Sequence, residues 1–140
     1  MSGPRLPTIL IVEDEFLVAM DIERILLDAG YHVVAIATDS EEALGSAPKA
    51  DIAFVDLNLR DGPTGPVIAR DLARSYGTKV IYVTANPAQI EPRAETAIGF
   101  LRKPFTDAAI LAAAAIAADR PIPAAGVEAI TLFDPPSGDS

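Results

Sequence analysis

The chain has 140 residues, and 11 Lys+Arg against 20 Asp+Glu give a formal net charge of −9 with its one His neutral. That length suits one domain with its own core rather than two, and the absence of Cys excludes disulfides and thiolate metal sites. At 50% hydrophobic and 22% charged the sequence is too apolar for a disordered chain, holds no run near the ~20 apolar residues that span a bilayer, and is too acidic for a nucleic-acid backbone as partner.

Met1 to Pro7 reads as an N-terminal arm, and the apolar run Ile9 to Val12 behind it is too short for a secretory h-region, so a cytoplasmic location is expected. Thr8 to Val12 is a β-branched run without polar alternation, as in a parallel strand covered on both faces. It ends in Glu13 and Asp14. From Glu15 to Ala29 the apolar positions Phe16, Ala19, Met20, Ile22, Ile25, Leu26 and Ala29 recur at helical spacing, with Gly30 as the stop.

His32 to Ala37 reads as a second strand, Ser40 to Ala47 as a short helix, and Asp51 to Asp56 as a buried strand that again ends in an acid. A Gly/Pro-rich loop over 60–66 leads to a helix capped by Thr64 and closed by Gly77, followed by a fourth strand, Lys79 to Thr84. Pro87 and Pro92 predict a short, weak fourth helix that ends near Ala97. Gly99 to Arg102 is the fifth strand, and Thr106 caps an Ala-rich helix over Asp107 to Ala118. Residues 119–140 form a Pro/Gly-containing tail with little regular structure, whose middle, Val127 to Phe133, is apolar enough to dock somewhere; a tail packed on its own domain or frayed is expected, with a partner-binding peptide as the alternative.

Five strands alternating with five helices predict a doubly wound α/β fold with a five-stranded parallel sheet, whose ligands bind beyond the carboxyl ends of the strands. That edge collects Glu13 and Asp14, Asp56, Thr84 and Lys103. Crowded carboxylates raise one another's pKa unless a cation neutralises them, and Mg2+ suits a site with few carboxylates and several waters. Asp56 is then a carboxylate nucleophile, with Lys103 and the Thr84 hydroxyl holding the oxygens of a transferring phosphoryl group.

The ordered motifs Glu13-Asp14, Asp56-Leu57-Asn58 with Asp61-Gly62 and Gly65, Val83-Thr84-Ala85 and Lys103-Pro104-Phe105 resemble a response-regulator receiver domain of bacterial two-component signalling, over about Thr8 to Ala118. The resemblance implies a (βα)5 flavodoxin-like fold in which Asp14, Asp56 and the Asn58 main-chain carbonyl bind Mg2+, and Glu13 acts through water. It implies that Asp56 takes a phosphoryl group from a sensor histidine kinase or histidine phosphotransfer protein, while Thr84, Ala85 and Lys103 form the phosphoryl-binding end. Pro104 follows a bond that is usually cis in this family. The resemblance further implies that on signalling Thr84 moves toward the phosphoryl oxygens and Phe100 turns inward, with helix four, strand five and helix five as the output surface.

Arg60 stands where many relatives carry Pro, and the Asn86-Pro87 sequence with the Gly62-Pro63-Thr64-Gly65-Pro66 loop is similar to receivers of general-stress partner-switching regulators. About twenty residues after the last helix suggest a stand-alone receiver that signals to a downstream target by protein contact, or else a phosphate sink. An aspartyl-nucleophile phosphatase is the enzymatic alternative, but Asn58 is not a general acid. A nucleotide- or flavin-binding fold lacks its Gly-rich loop after the first strand. His32, without a second His or Cys, builds no transition-metal site.

Overall fold

The computed structural model describes residues 6–134; Met1 to Arg5 of the arm and Pro135 to Ser140 of the tail lie outside the described residues. The strands are β1 (Thr8–Val12), β2 (His32–Ala37), β3 (Ile52–Val55), β4 (Lys79–Thr84), β5 (Ala97–Arg102) and β6 (Ile130–Leu132). The α-helices are α1 (Phe16–Asp28), α2 (Ser40–Ser46), α3 (Gly65–Tyr76) and α4 (Asp107–Ala117). The sheet order is β2-β1-β3-β4-β5-β6. Neighbours from β2 to β5 are parallel, and β6 runs antiparallel to β5.

Successive side chains of the buried strands feed two cores. Leu10, Val12, Ala53, Val55, Val80 and Tyr82 face α2 and α3, where Ala43, Ile68, Ala69 and Leu72 complete one layer. Ile9, Ile11, Ile52, Phe54, Ile81 and Val83 face α1 and α4, meeting Ile22, Leu26, Ile110 and Ala113. Two covered faces explain why these strands lack polar alternation. The small side chains Ala112 to Ala115 and Ala117 are buried, so the Ala-rich stretch of α4 serves close packing.

The predicted α/β architecture holds, with three departures. A sixth strand is present, because Ile130–Leu132 of the tail pairs with β5. The predicted fourth helix is reduced to a 3-10 turn over Pro87–Gln89, as expected where Pro87 and Pro92 deny backbone donors to a longer helix. The apolar stripe of α1 is also narrower than its spacing suggests. Ala19, Ile22, Ile25 and Leu26 are buried, whereas Phe16, Met20 and Ala29 are exposed.

Helix ends follow local chemistry. Gly77 closes α3 in the left-handed conformation at φ 68°, and Thr106 Oγ1 accepts from Ala109 N at 3.1 Å to cap α4. Thr64 precedes α3 with helical rather than extended backbone (φ −93°, ψ −9°), so its side chain does not cap the helix, and its hydroxyl donates to Asp61 Oδ1 at 2.6 Å. The strand order reverses around β1, between β2 and β3, which puts the crevice of the fold beside the ends of β1 and β3.

Candidate functional site

β1 and β3 are in register through Val12 and Val55, so the residues that follow them, Glu13 and Asp56, emerge side by side. Asp56 is fixed by its neighbours: its N–H donates to Val12 O at 2.9 Å, and its Oδ1 accepts from Leu57 N at 2.7 Å. Behind it the start of α3 approaches so closely that a Cβ on Gly65 would lie 2.1 Å from the Asp56 carbonyl oxygen. Only glycine allows that approach, which accounts for Gly65 in the motif.

Thr84 ends β4 and Lys103 follows β5, in register through Thr84 and Arg102. The Lys103–Pro104 peptide is cis, as the resemblance implies. Lys103 Nζ lies 2.8 Å from Glu13 Oε1 and 3.2 Å from both Glu15 Oε1 and Asp56 Oδ2. The ammonium therefore gathers three carboxylates at the end of the sheet.

A cavity of roughly 340 Å³ opens over this cluster, lined by Asp14, Glu15, Asp56, Asn58, Leu59, Thr84, Ala85, Asn86 and Lys103. Asp56 and Thr84 are buried, and the Thr84 hydroxyl accepts from Asn86 N at 2.9 Å. Asn58 is exposed and its side chain donates to Gln89 at 3.0 Å. Phe100 is half-buried on β5 against the core that faces α2 and α3, away from the cavity lining.

Glu13 is only 2% exposed. Burial pushes its pKa up to about 7; the Asp56 charge adds to the rise, while Lys103 and the Glu15 N–H oppose it. Burial alone would lower the pKa of Lys103, but the facing carboxylates of Glu13, Asp56 and Glu15 outweigh it and hold the ammonium firmly charged. Glu13 Oε1 is paired with the Lys103 ammonium at 2.8 Å and has no other polar partner among the described residues. A buried carboxylate oxygen in that condition can still serve a cation or its water.

Carboxylate oxygens of Glu13, Glu15 and Asp56 lie within 4.8 Å of one another. All-oxygen donors of this kind fit a hard divalent cation. Asp14 lines the same cavity, and Glu15 joins Glu13 and Asp56 around the Lys103 ammonium. Sequence reasoning placed Glu15 at the start of the first helix and did not count it in the site. Its position one residue before α1, where the chain turns back over Lys103, is the signal that was available.

The loop after β3 is tied down beside the site. Asp61 accepts from the hydroxyls of Thr64 at 2.6 Å and Ser40 at 2.7 Å, and these bonds hold its pKa down to about 2. Arg60 pairs with Asp39, the N-cap of α2, at 2.7 Å. This anchor gives Arg60 a positive role where a proline would make no such bond.

A groove of roughly 1090 Å³ adjoins the cavity and shares Glu15, Ala85 and Lys103 with it. Its walls include Leu17, Val18, Met20 and Leu27 of α1 together with Pro104 and Phe105. Leu17 is 80% exposed there, and Phe16 beside it is 71% exposed.

Residues 9–115 match the family model of the response regulator receiver domain. The chain is 33% identical over 108 residues to the phyllosphere-induced regulator PhyR of Methylorubrum extorquens, covering 74% of this chain and 40% of that protein. It is 31% identical over 119 residues to the transcriptional regulatory protein PdtaR of Mycobacterium tuberculosis, covering 80% of this chain and 57% of that one. The crystal structure of the anti-anti-sigma factor PhyR from Bartonella quintana is similar at a TM-score of 0.66 and 29% identity, covering 81% of this chain and 47% of that one. The chain thus spans about half the length of these relatives. No helix among the described residues is long and apolar enough to cross a membrane.

Proposed function

The chain belongs to the response regulator receiver domain family, and from that premise we propose that Asp56 accepts a phosphoryl group from a phosphohistidine protein and that the phosphorylated domain signals by protein contact. The observation that carries this reading is the ammonium of Lys103 at 3.2 Å from Asp56 Oδ2, with the Thr84 hydroxyl on the wall of the same cavity.

Asp56 attacks phosphorus in line; the new O–P bond forms as the P–N bond to imidazole breaks, and the leaving imidazole keeps that electron pair. Negative charge spreads over three phosphoryl oxygens. Lys103 is already positioned to meet one of them, and Thr84 can turn its hydroxyl from Asn86 N to another. Asp14, Asp56 and the Asn58 carbonyl would hold Mg2+, with Glu13 acting through water and Glu15 close by. The bound ion supplies charge neutralisation among the carboxylates and on the transferring group.

The donor approaches along the groove of α1, because its apolar walls run directly into the phosphoacceptor cavity. Exposed apolar side chains beside a polar reaction centre suit a helical protein surface that presents a histidine. The general-stress resemblance and the anti-anti-sigma relative favour an output by partner binding over a phosphate sink. Asp56 has Asn58, not a carboxylate, two residues on, so the domain is a self-assisting acceptor rather than a phosphatase.

Labelling with radioactive acetyl phosphate and Mg2+, followed by neutral hydroxylamine, tests the chemistry. An acyl phosphate on the peptide that contains Asp56 is released by hydroxylamine; a label that survives lies on another group. Sustained turnover of p-nitrophenyl phosphate would favour the phosphatase.

A further inference from the structure

After α4 the chain returns to the sheet as β6, with Gly99, Phe100 and Leu101 of β5 paired to Leu132, Thr131 and Ile130. Phe133 extends the contact: its N–H donates to Ile98 O at 2.9 Å, and its ring lies 6.1 Å from both Phe100 and Tyr82. The Arg93 guanidinium sits 4.6 Å above the same ring and donates to Asp134 O at 2.8 Å.

Two glycines are shaped to this return. A Cβ on Gly99 would lie 2.3 Å from the Thr131 carbonyl oxygen, and one on Gly126 would lie 2.3 Å from the Ala108 carbonyl group. The attachment is nevertheless thin. Between Asp119 and Asp134 only Gly126 is buried, and Leu132 is 54% exposed. A three-residue edge strand with so little buried surface opens far more readily than the strands it joins.

We propose that β6 with Phe133 is a resident strand that closes the β5 edge and is released when Asp56 is phosphorylated, freeing that edge for an extended, aromatic-bearing segment of the output partner. The proposal rests on the phosphoacceptor reading above. In the switch that the receiver resemblance implies, Thr84 moves toward the phosphoryl group and Phe100 turns inward. The Phe100 ring then leaves Phe133, and loss of one aromatic contact shifts the opening equilibrium of β6 by about two- to tenfold. An uncovered β5 presents a row of backbone donors and acceptors, which is the template for strand addition. The occupant it fits is the kind it already holds: an extended segment with one aromatic side chain past the ladder, over Tyr82.

Hydrogen exchange on the full 140-residue chain, with and without Mg2+ and beryllofluoride, reads the release directly. Loading is measured separately by the fluorine signals of the bound adduct. The expected result is a fall of about two- to tenfold in protection at Ile130 to Phe133 on loading, with β1 and β3 unchanged. Phe133→Ala should show the low protection without the adduct while loading normally, and Gly99→Ala should do the same. A synthetic peptide of residues 127–134 should bind Phe133→Ala, and should bind the wild type only when it is loaded. Loading with unchanged protection at β6 overturns the release mechanism alone. Failure to load overturns the phosphoacceptor reading and the switch together. A peptide that binds neither state overturns the strand-acceptor edge.

Discussion

Lys103 Nζ stands 3.2 Å from Asp56 Oδ2 although 47 residues separate the two in the chain. The same ammonium also faces Glu13 and Glu15, so one cation holds the acidic end of the sheet together. Lys103→Met should slow phosphorylation by acetyl phosphate by about a hundredfold, the scale of losing one preorganised charge at a developing oxyanion. Lys103→Arg should restore little of the rate, because a planar guanidinium does not reproduce a compact ammonium. Rates read from the mass shift over time check both.

Glu13 gives the metal-free protein a distinctive pH dependence. Its pKa is raised from 4.5 to about 7, so the folded chain holds this proton more tightly than the unfolded chain does. For a carboxyl shifted in that direction, stability is highest below pH 4.5 and falls as pH climbs to about 7. In EDTA, Glu13→Gln should raise Tm relative to the wild type at about pH 8 and leave it little changed at about pH 4. Mg2+ should raise the wild-type Tm more at the higher pH, where its ligands are deprotonated. Thermal melts at both pH values, with and without the ion, decide the matter.

Gly65 is a steric requirement of the phosphoacceptor, since a Cβ there would overlap the Asp56 backbone. Gly65→Ala should cost about 1–3 kcal/mol as the start of α3 is pushed from β3. Urea denaturation should show a lower midpoint with an unchanged slope. Phosphorylation should slow as well, because the displaced backbone carries the nucleophile.

The exposed apolar side of α1 separates small donors from protein donors. Leu17→Glu should leave acetyl phosphate labelling unchanged while reducing transfer from a phosphohistidine protein by about tenfold or more, since a charge is placed where an apolar contact forms. Equal loss with both donors would place Leu17 in the chemistry instead.

Much of this was legible in the sequence, and the reason is physical. A parallel strand buried on both faces has to be an uninterrupted apolar run, so β1, β3 and β4 declared themselves, and the acid or hydroxyl that ends each run fell at the active edge. Periodicity says less about which apolar residues are covered. Phe16 and Met20 share the spacing of Ile22 and Ile25 but are exposed, Met20 on the wall of the groove. The contact of Glu15 with Lys103 was hidden too, because it depends on how the chain turns into α1. The sixth strand escaped because three residues are too few to display alternation.

The intact mass of the protein after incubation with Mg2+ and acetyl phosphate, measured for the wild type and for Asp56→Asn, tests the phosphoacceptor role of Asp56 most directly. A gain of one phosphoryl group is expected in the wild type and none in the variant. A gain in both, or in neither while Mg2+ also fails to bind, would contradict that role.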